Sequence, residues 1–228
     1  MKYLTIDTTT KVTALALAED GKLIAEGFLH TSKTHSERLI PVLDQVLKAS
    51  SWSLEDLDFI GVARGPGSFT GIRIGIATAQ GLAQVLKIPV VGVLSLDSLA
   101  WAGHSRSEVI VPVLDARKNE WYTALYQWSE EKEQPLCIRK PFAVSPEIWL
   151  KELAAMNHSF LFVGDGIPRY AGMIKEYLGD WGIIYPDYLA LPRGGYTVRA
   201  VWEEWQKNQG QTQVEPYYIR LSQAEVKW

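Results

Sequence analysis

The feature that most constrains the fold of this chain is an order of secondary-structure elements that occurs twice. Alternating apolar residues, turn residues and helical spacing predict three strands, a helix, a strand and a helix before about residue 100, and the same order after it. The repeat reaches individual residues, because Leu4–Asp7 has its counterpart in Val111–Asp115, and an aspartate closes both strands. A shared order of this kind indicates an internal duplication. We therefore predict an α/β protein of two βββαβα subdomains, residues 1–105 and residues 106–228, with a C-terminal helix and tail in the second.

Composition and length are those of a globular protein that can build a substantial core. Of the 228 residues, 47% are hydrophobic and 21% are charged, which excludes disordered and collagen-like chains. The longest uncharged stretch, Ile74–Leu86, has 13 residues and is too short to span a bilayer, so no membrane segment is expected. The sequence enters its first strand at Lys2–Asp7 without the basic and apolar regions of a signal peptide. We expect a cytoplasmic protein.

Charge and cysteine content narrow the possible chemistry. The formal net charge is −3, and neither half of the chain is basic. Nucleic-acid affinity is dominated by phosphate neutralisation with clustered Lys and Arg, so a bound RNA would be held mainly by another chain. The single cysteine, Cys137, rules out an internal disulfide and a cysteine-rich zinc site, and its position in an expected strand predicts a buried packing role.

Tryptophan is distributed unevenly along the chain. Eight of the nine tryptophans lie beyond residue 100 and only Trp52 lies before it, so we expect the two halves to have separate cores. The tail is expected to add a helix over Thr197–Asn208 and a strand-like segment over Tyr217–Leu221.

The most distinctive segment lies between an expected strand and an expected helix over about Phe69–Leu86. Its residues 64–73 read RGPGSFTGIR. The Walker pattern needs a lysine that is missing here, and the dinucleotide pattern needs its third glycine where Thr70 stands. Two interpretations remain. The segment is either a weak anion site made by free backbone N–H groups at the helix N-terminus, or a tight turn in which glycine supplies a positive φ.

The expected helix has one face with almost no side chains. Gly71, Gly75 and Ala79 recur at every fourth position and therefore lie on the same side. Glycine inside a helix costs about 1 kcal/mol relative to alanine, so two glycines on one face require a compensating close contact. The spacing alone leaves two partners open for that contact: the protein's own sheet or a second chain.

The spacing of the histidines does not favour a catalytic metal site. The histidines of the chain are His30, His35, His104 and His158. No two are three or four residues apart, so none places two ligands on one helical face, and no zinc or iron site is expected. The segment His35-Ser36-Glu37 contains residue types found in catalytic triads, but adjacent residues on a helix point in different directions. We interpret it as a helix N-terminus capped by Thr34 or Ser36.

Four residues are weak candidates for a nucleotide site. Asp7 and Asp115 each end the first strand of a half, where duplicated nucleotide-binding folds hold Mg²⁺ and phosphate. Gly164 and Gly166 form a second glycine turn. Asp7 is followed by three threonines rather than by the glycine that lets a backbone approach phosphate. An ATP-dependent phosphotransferase of the sugar-kinase type is the function that these residues would serve.

Several motifs together resemble those of the bacterial TsaB (YeaZ) family and span nearly the whole chain. They are Ile6-Asp7-Thr8-Thr9, His35–Leu39 with Pro41, the stretch GPGSFTGIRIG at residues 65–75, Asp115-Ala116-Arg117 with Glu120, Tyr122, Ala124 and Tyr126, and Pro216–Arg220. The glycine stretch is the most specific of them. Membership implies the duplicated fold of actin, Hsp70 and sugar kinases (ASKHA, RNase H-like), in agreement with the repeat.

The resemblance also implies a function. Family members are non-catalytic scaffold subunits in the synthesis of threonylcarbamoyladenosine next to the anticodon of tRNA. They support a catalytic paralogue, TsaD, together with an ATPase, TsaE. The resemblance implies no metal and no cofactor, contact with tRNA only through the complex, and a heterodimer with TsaD or a homodimer. TsaD-like chains carry a His-x-x-x-His metal pair, which is missing here.

The family pairs with its paralogue through helices of the first subdomain. The resemblance therefore favours a second chain as the partner of the small helix face. The residues expected at this interface are Gly71, Gly75, Ala79, His35 and Leu39. The phosphotransferase remains the alternative function.

Overall fold

The computed structural model describes residues 1–220 and builds them around two five-stranded sheets. The strands of the first sheet are β1 (Lys2–Asp7), β2 (Val12–Glu19), β3 (Lys22–His30), β4 (Phe59–Ala63) and β5 (Val90–Val93). Those of the second are β6 (Val109–Asp115), β7 (Trp121–Ser129), β8 (Gln134–Val144), β9 (Phe160–Val163) and β10 (Gly182–Ile184). The α-helices of the described residues are α1 (His35–Ser50), α2 (Phe69–Leu86), α3 (Ser95–Ala100), α4 (Pro146–Ala154), α5 (Ala171–Leu178), α6 (Asp187–Ala190) and α7 (Gly194–Asn208).

Both sheets have the same strand order, which confirms the internal duplication. The first runs β3-β2-β1-β4-β5 and the second runs β8-β7-β6-β9-β10. In each sheet the first three strands along the chain pair antiparallel. The fourth strand then pairs parallel with the central strand, and the fifth pairs parallel with the fourth. Parallel pairing needs a crossover connection, which α1 and α2 provide in the first sheet. Asp7 and Asp115 therefore end the central strands of the two sheets.

Helices cover both faces of the first sheet. Successive residues of a strand point to opposite faces, so Leu4 joins the core under α1 and α2, whereas Tyr3 faces α7. On the α7 side the Tyr3 and Phe59 rings stack with centroids 4.5 Å apart, and Phe59 stacks on Trp205 at 4.0 Å. Each stacked pair adds about 0.5–1.5 kcal/mol beyond the burial of its area. These rings hold the last helix on the first sheet.

The chain divides into two compact units, and the boundaries differ from those expected from the sequence. One unit contains Met1–Ser98 with the chain from Pro192 onward, and the other contains Leu99–Leu191. The sequence-based division at residue 105 placed the last helix in the second subdomain. The difference arises because α7 carries the tryptophans that stack on the first sheet, and chain order does not reveal which sheet a trailing helix covers.

The second unit has a core of its own, which confirms the expectation from tryptophan placement. Trp121 and Trp149 are fully buried in it, and Phe142 meets Trp149 edge-on with centroids 5.0 Å apart. The expected burial of Cys137 is wrong. This residue is exposed, because it lies on β8, an edge strand with no fully buried residue.

The residues that follow α7 form an extended segment along the first sheet rather than a further strand. Gln211 makes an isolated antiparallel bridge with Val90 on β5. No strand is present in residues 217–220, so the expected strand over Tyr217–Leu221 is wrong for its described part, and Leu221 lies outside the described residues. We call residues 211–220 the C-terminal strap. Within residues 1–220 no helix combines the length and the hydropathy needed to cross a membrane.

Candidate functional site

The glycine-rich turn between β4 and α2 is filled by the chain's own backbone. Gly65 and Gly67 have φ values of +111° and +153°, in the region that favours glycine. A Cβ on Gly67 would lie 2.3 Å from the carbonyl oxygen of Thr9, and a Cβ on Gly65 would lie 2.5 Å from that of Tyr217. Both glycines therefore allow a close backbone contact. Of the two interpretations of the motif, these contacts favour the tight turn over a phosphate cradle.

The small face of α2 packs on the same chain. A Cβ on Gly71 would lie 2.0 Å from the carbonyl oxygen of Thr8, and a Cβ on Gly75 would lie 2.5 Å from Thr8 Oγ1. The Thr8 hydroxyl donates a hydrogen bond of 2.8 Å to the carbonyl of Gly71, and Ala79 is fully buried. The close contact that the spacing required is therefore internal. This corrects the expectation that Gly71, Gly75 and Ala79 form an interface with a second chain, because none of them reaches the surface.

Asp7, at the end of β1, is a fully buried carboxyl group. Its Oδ1 accepts hydrogen bonds from the Thr9 backbone N–H at 2.9 Å and from the Thr9 hydroxyl at 2.7 Å. Its Oδ2 has no hydrogen-bond partner among the described residues. Burial raises the pKa of Asp7, and the two bonds from Thr9 oppose this shift only in part. The site therefore favours the neutral acid, whereas Mg²⁺ binds ionised carboxylates.

We expect Asp7→Asn to keep the fold and to flatten the dependence of stability on pH. Because the pKa of Asp7 is raised in the folded chain, the stability it contributes is fully present below the unfolded pKa of about 3.9 and is lost as the pH rises through the folded pKa. Asparagine has the same shape and does not ionise. Urea unfolding from about pH 4 upward measures the effect, with the exposed Asp180→Asn as control. Parallel pH profiles for the wild type and Asp7→Asn would contradict the neutral assignment.

The candidates in the second unit lie together at the end of β6. The backbone N–H of Asp115 donates to Oδ1 of Asp165 at 3.2 Å. A Cβ on Gly164 would lie 2.0 Å from the carbonyl oxygen of Val113, and a Cβ on Gly166 would lie 2.7 Å from Val113 Cγ1. These glycines therefore let their turn pack directly on β6. Nowhere in residues 1–220 do three or more His, Cys, Asp or Glu side chains form a group that could hold a metal ion.

His35 and Leu39, the other residues expected at an interface, lie on the inner side of α1. Leu39 is 2% exposed and belongs to the core. His35 is half-buried, with Nε2 at 2.8 Å from the carbonyl oxygen of Thr10 and Nδ1 at 2.8 Å from Thr13 Oγ1. Because a carbonyl only accepts, Nε2 carries the proton and Nδ1 accepts from Thr13. Burial lowers the pKa of His35, which favours this neutral ring.

Arg38 fixes the start of α1 to two neighbouring loops. Its side chain is 4% exposed. The guanidinium donates to the carbonyl oxygen and the hydroxyl of Thr31, both at 3.0 Å, and to the carbonyl oxygen of Lys11. Thr34 and Glu37 add a capping box at the same end of the helix. The N-terminal turn of α1 is therefore held firmly in place.

The sequence-based reasoning missed a group of exposed residues on the outer sides of α1 and α2. Its members are exposed: Ile40 on α1 and, at every fourth position of α2, Arg73, Ala77, Gly81 and Val85. Val85 is 80% exposed, Ile40 is 54% exposed, and a Cβ on Gly81 would meet nothing within 4 Å. We call these five residues the outer face. The same four-residue spacing that identified the small face was present here, but with a single glycine it gave a weaker signal.

Comparison with known proteins gives matches over nearly the whole chain. A family model described as "TsaD: tRNA N6-adenosine threonylcarbamoyltransferase" matches residues 29–228. The chain is 33% identical over 228 residues to the tRNA threonylcarbamoyladenosine biosynthesis protein TsaB of Bacillus subtilis (strain 168). That match covers 100% of this chain and 98% of the relative.

Solved structures agree with the fold. YeaZ from Pseudomonas aeruginosa superposes with a TM-score of 0.76 at 26% identity, over 95% of this chain and 99% of that one. Component A of (R)-2-hydroxyglutaryl-CoA dehydratase from Acidaminococcus fermentans gives a TM-score of 0.51 at 11% identity, over 91% and 98% of the two chains. The second likeness concerns the fold alone. The expected duplicated fold of the actin, Hsp70 and sugar-kinase type is confirmed.

Proposed function

The chain belongs to the TsaB (YeaZ) family, and we propose that it is a non-catalytic scaffold subunit for threonylcarbamoyl transfer to the adenosine next to the anticodon of tRNA. Its full-length similarity to a protein named for tRNA threonylcarbamoyladenosine biosynthesis supports a role in that synthesis. In this role it pairs with the catalytic paralogue TsaD and works with the ATPase TsaE. With a net charge of −3, it contacts tRNA only as part of the complex.

The observation that carries the non-catalytic assignment is the filling of both glycine turns. Thr9 occupies the space beside Gly67, and Val113 occupies the space beside Gly164. A phosphate cradle needs that space and open backbone N–H groups. Asp7, which a phosphotransferase would need as an ionised group, is buried with a raised pKa. These features support a scaffold over the phosphotransferase, and an assay of ATP hydrolysis by the isolated chain separates the two functions.

We place the contact with TsaD on the outer face. This surface combines the exposed apolar side chains of Ile40 and Val85 with the small residues Ala77 and Gly81. Small residues let a partner helix approach more closely than the usual distance of about 8–10 Å between axes. The match of residues 29–228 to the family model named for the transferase supports a partner that is a related chain. A homodimer of this chain would use the same surface.

We expect Gly81→Leu to weaken TsaD binding at least about tenfold without lowering stability. The position is exposed and a Cβ there meets nothing within 4 Å, so leucine is expected to fit in the free chain and to raise helix propensity by up to about 1 kcal/mol. In the complex the same side chain would hold the partner helix away. Isothermal titration with TsaD and a melting curve of the free chain measure the two effects.

Gly172→Leu is the matched control for this change. Gly172 is a helical glycine of α5 in the second unit, and a Cβ there also meets nothing within 4 Å. We expect this variant to bind TsaD normally. Unchanged TsaD binding by folded Gly81→Leu would contradict the placement of the interface on the outer face.

A further inference from the structure

The C-terminal strap connects the edge of the first sheet to the beginning of α2. We propose that the strap positions α2 for partner binding and that Tyr218 is its main positioning residue. This inference rests on the proposed pairing through the outer face. It goes beyond that proposal, because Tyr218 lies outside α1 and α2, and its role is to hold the helix that presents the surface.

The strap begins at an edge strand that would otherwise be open. Gln211 and Val90 exchange two backbone hydrogen bonds, each of 2.8 Å, and so cover part of β5. Val214 then enters the core of the first unit and is 6% exposed. A Cβ on Gly92 would lie 2.5 Å from Val214 Cγ1, so the missing side chain of this glycine leaves the space that Val214 occupies. The first half of the strap is thereby fixed to the sheet.

Tyr217 joins the strap to the glycine turn. Its backbone N–H donates to the carbonyl oxygen of Arg64 at 2.8 Å. Its own carbonyl oxygen occupies the space where a Cβ of Gly65 would lie. The strap therefore closes over the turn that leads into α2.

Two further anchors lie on α2 itself. The backbone N–H of Val214 donates to Gln80 Oε1 at 2.8 Å. The Tyr218 ring stacks on Phe69 with centroids 5.2 Å apart, and its hydroxyl accepts a hydrogen bond of 3.0 Å from Nε of Arg73. The Arg73 guanidinium lies 3.8 Å from the centroid of Phe69. Tyr218, Phe69 and Arg73 thus form one cluster over the first turns of the helix.

The inner contacts of α2 fix its position only in part, so the strap contacts are needed as well. Helices keep a defined position when their side chains interlock with those of neighbouring elements. Ile72 and Ile76 do so in the core, but Gly71 and Gly75 beside them contribute no side chain. The strap contacts the helix from another side, through Gln80 and through the cluster of Tyr218, Phe69 and Arg73. Arg73 belongs both to this cluster and to the outer face. Loosening the strap therefore changes the surface that the partner contacts.

The test replaces Tyr218 in the full chain and measures two quantities. For Tyr218→Ala we expect TsaD affinity to fall about tenfold. In the free chain we expect faster amide hydrogen exchange in residues 69–76, because their helix is held less firmly. Tyr218→Phe keeps the ring stack and should recover most of the affinity. Tyr188→Ala, at a tyrosine that is 70% exposed in the second unit, is the control and should change neither quantity.

The other possible results distinguish a positioning role of Tyr218 from a direct contact with the partner and from no role in binding. Unchanged TsaD affinity of folded Tyr218→Ala overturns the inference, and it leaves the proposed interface standing if Gly81→Leu still blocks binding. Reduced affinity with unchanged exchange also overturns it, since Tyr218 would then contact the partner directly. If Tyr218→Ala does not fold, Gln80→Met serves in its place, because it keeps the length of the side chain and removes the carboxamide that accepts the Val214 N–H. The same combined fall in affinity and rise in exchange is expected for that variant.

Discussion

Replacing Gly75 with leucine is expected to lower the free energy of unfolding by about 2 kcal/mol or more. A Cβ at this position would already lie 2.5 Å from Thr8 Oγ1 and 3.7 Å from Ile6 Cγ2. Leucine adds three further carbon atoms to a site with no free space. The gain in helix propensity, about 1 kcal/mol, is smaller than the cost of overpacking.

Urea unfolding of Gly75→Leu measures this loss, and Gly81→Leu is its control on the same helix. The two positions are six residues apart and carry the same change, but one faces Thr8 and the other faces solvent. Stability should fall for Gly75→Leu and stay or rise for Gly81→Leu. At equal folded concentration, TsaD binding should fall at least about tenfold for Gly81→Leu although the free chain keeps its stability. Full stability of Gly75→Leu together with lost TsaD binding would contradict the internal packing of the small face.

Local patterns were sufficient to predict most elements of the fold. The expected bounds of β1 and α2 agree with the structure. Alternation, glycine turns and helical spacing act between near neighbours, so they can be recognised in one sequence. The duplication was predictable for the same reason, because it repeats these local patterns in one order.

Contacts between distant residues were not predictable in this way. The glycine spacing of α2 identified a close contact, but its partner is Thr8, 63 residues before Gly71. An internal and an external partner require the same spacing, so periodicity alone could not choose between them. The attachment of α7 to the first sheet depends in the same way on rings of β1 and β4 that meet only in the folded chain.

The second large effect concerns the modification reaction itself. If the chain is a scaffold, TsaD without it should be almost inactive, although TsaD carries the chemistry. If binding of the chain stabilises the active state of TsaD by about 3 kcal/mol, leaving the chain out lowers the rate about a hundredfold. The chain alone should modify no tRNA, since its glycine turns are filled and its Asp7 is buried with a raised pKa.

Reconstitution of tRNA threonylcarbamoylation tests this role most directly. The assay contains TsaD, TsaE, ATP, the threonylcarbamoyl donor and tRNA, and the chain is first left out and then added in increasing amounts. Modification should rise from background and level off at about one chain per TsaD, the stoichiometry of a closed two-chain pair. Gly172→Leu should restore it fully, whereas Gly81→Leu should not. Modification at the full rate without the chain, or by the chain in the absence of TsaD, would contradict the scaffold role.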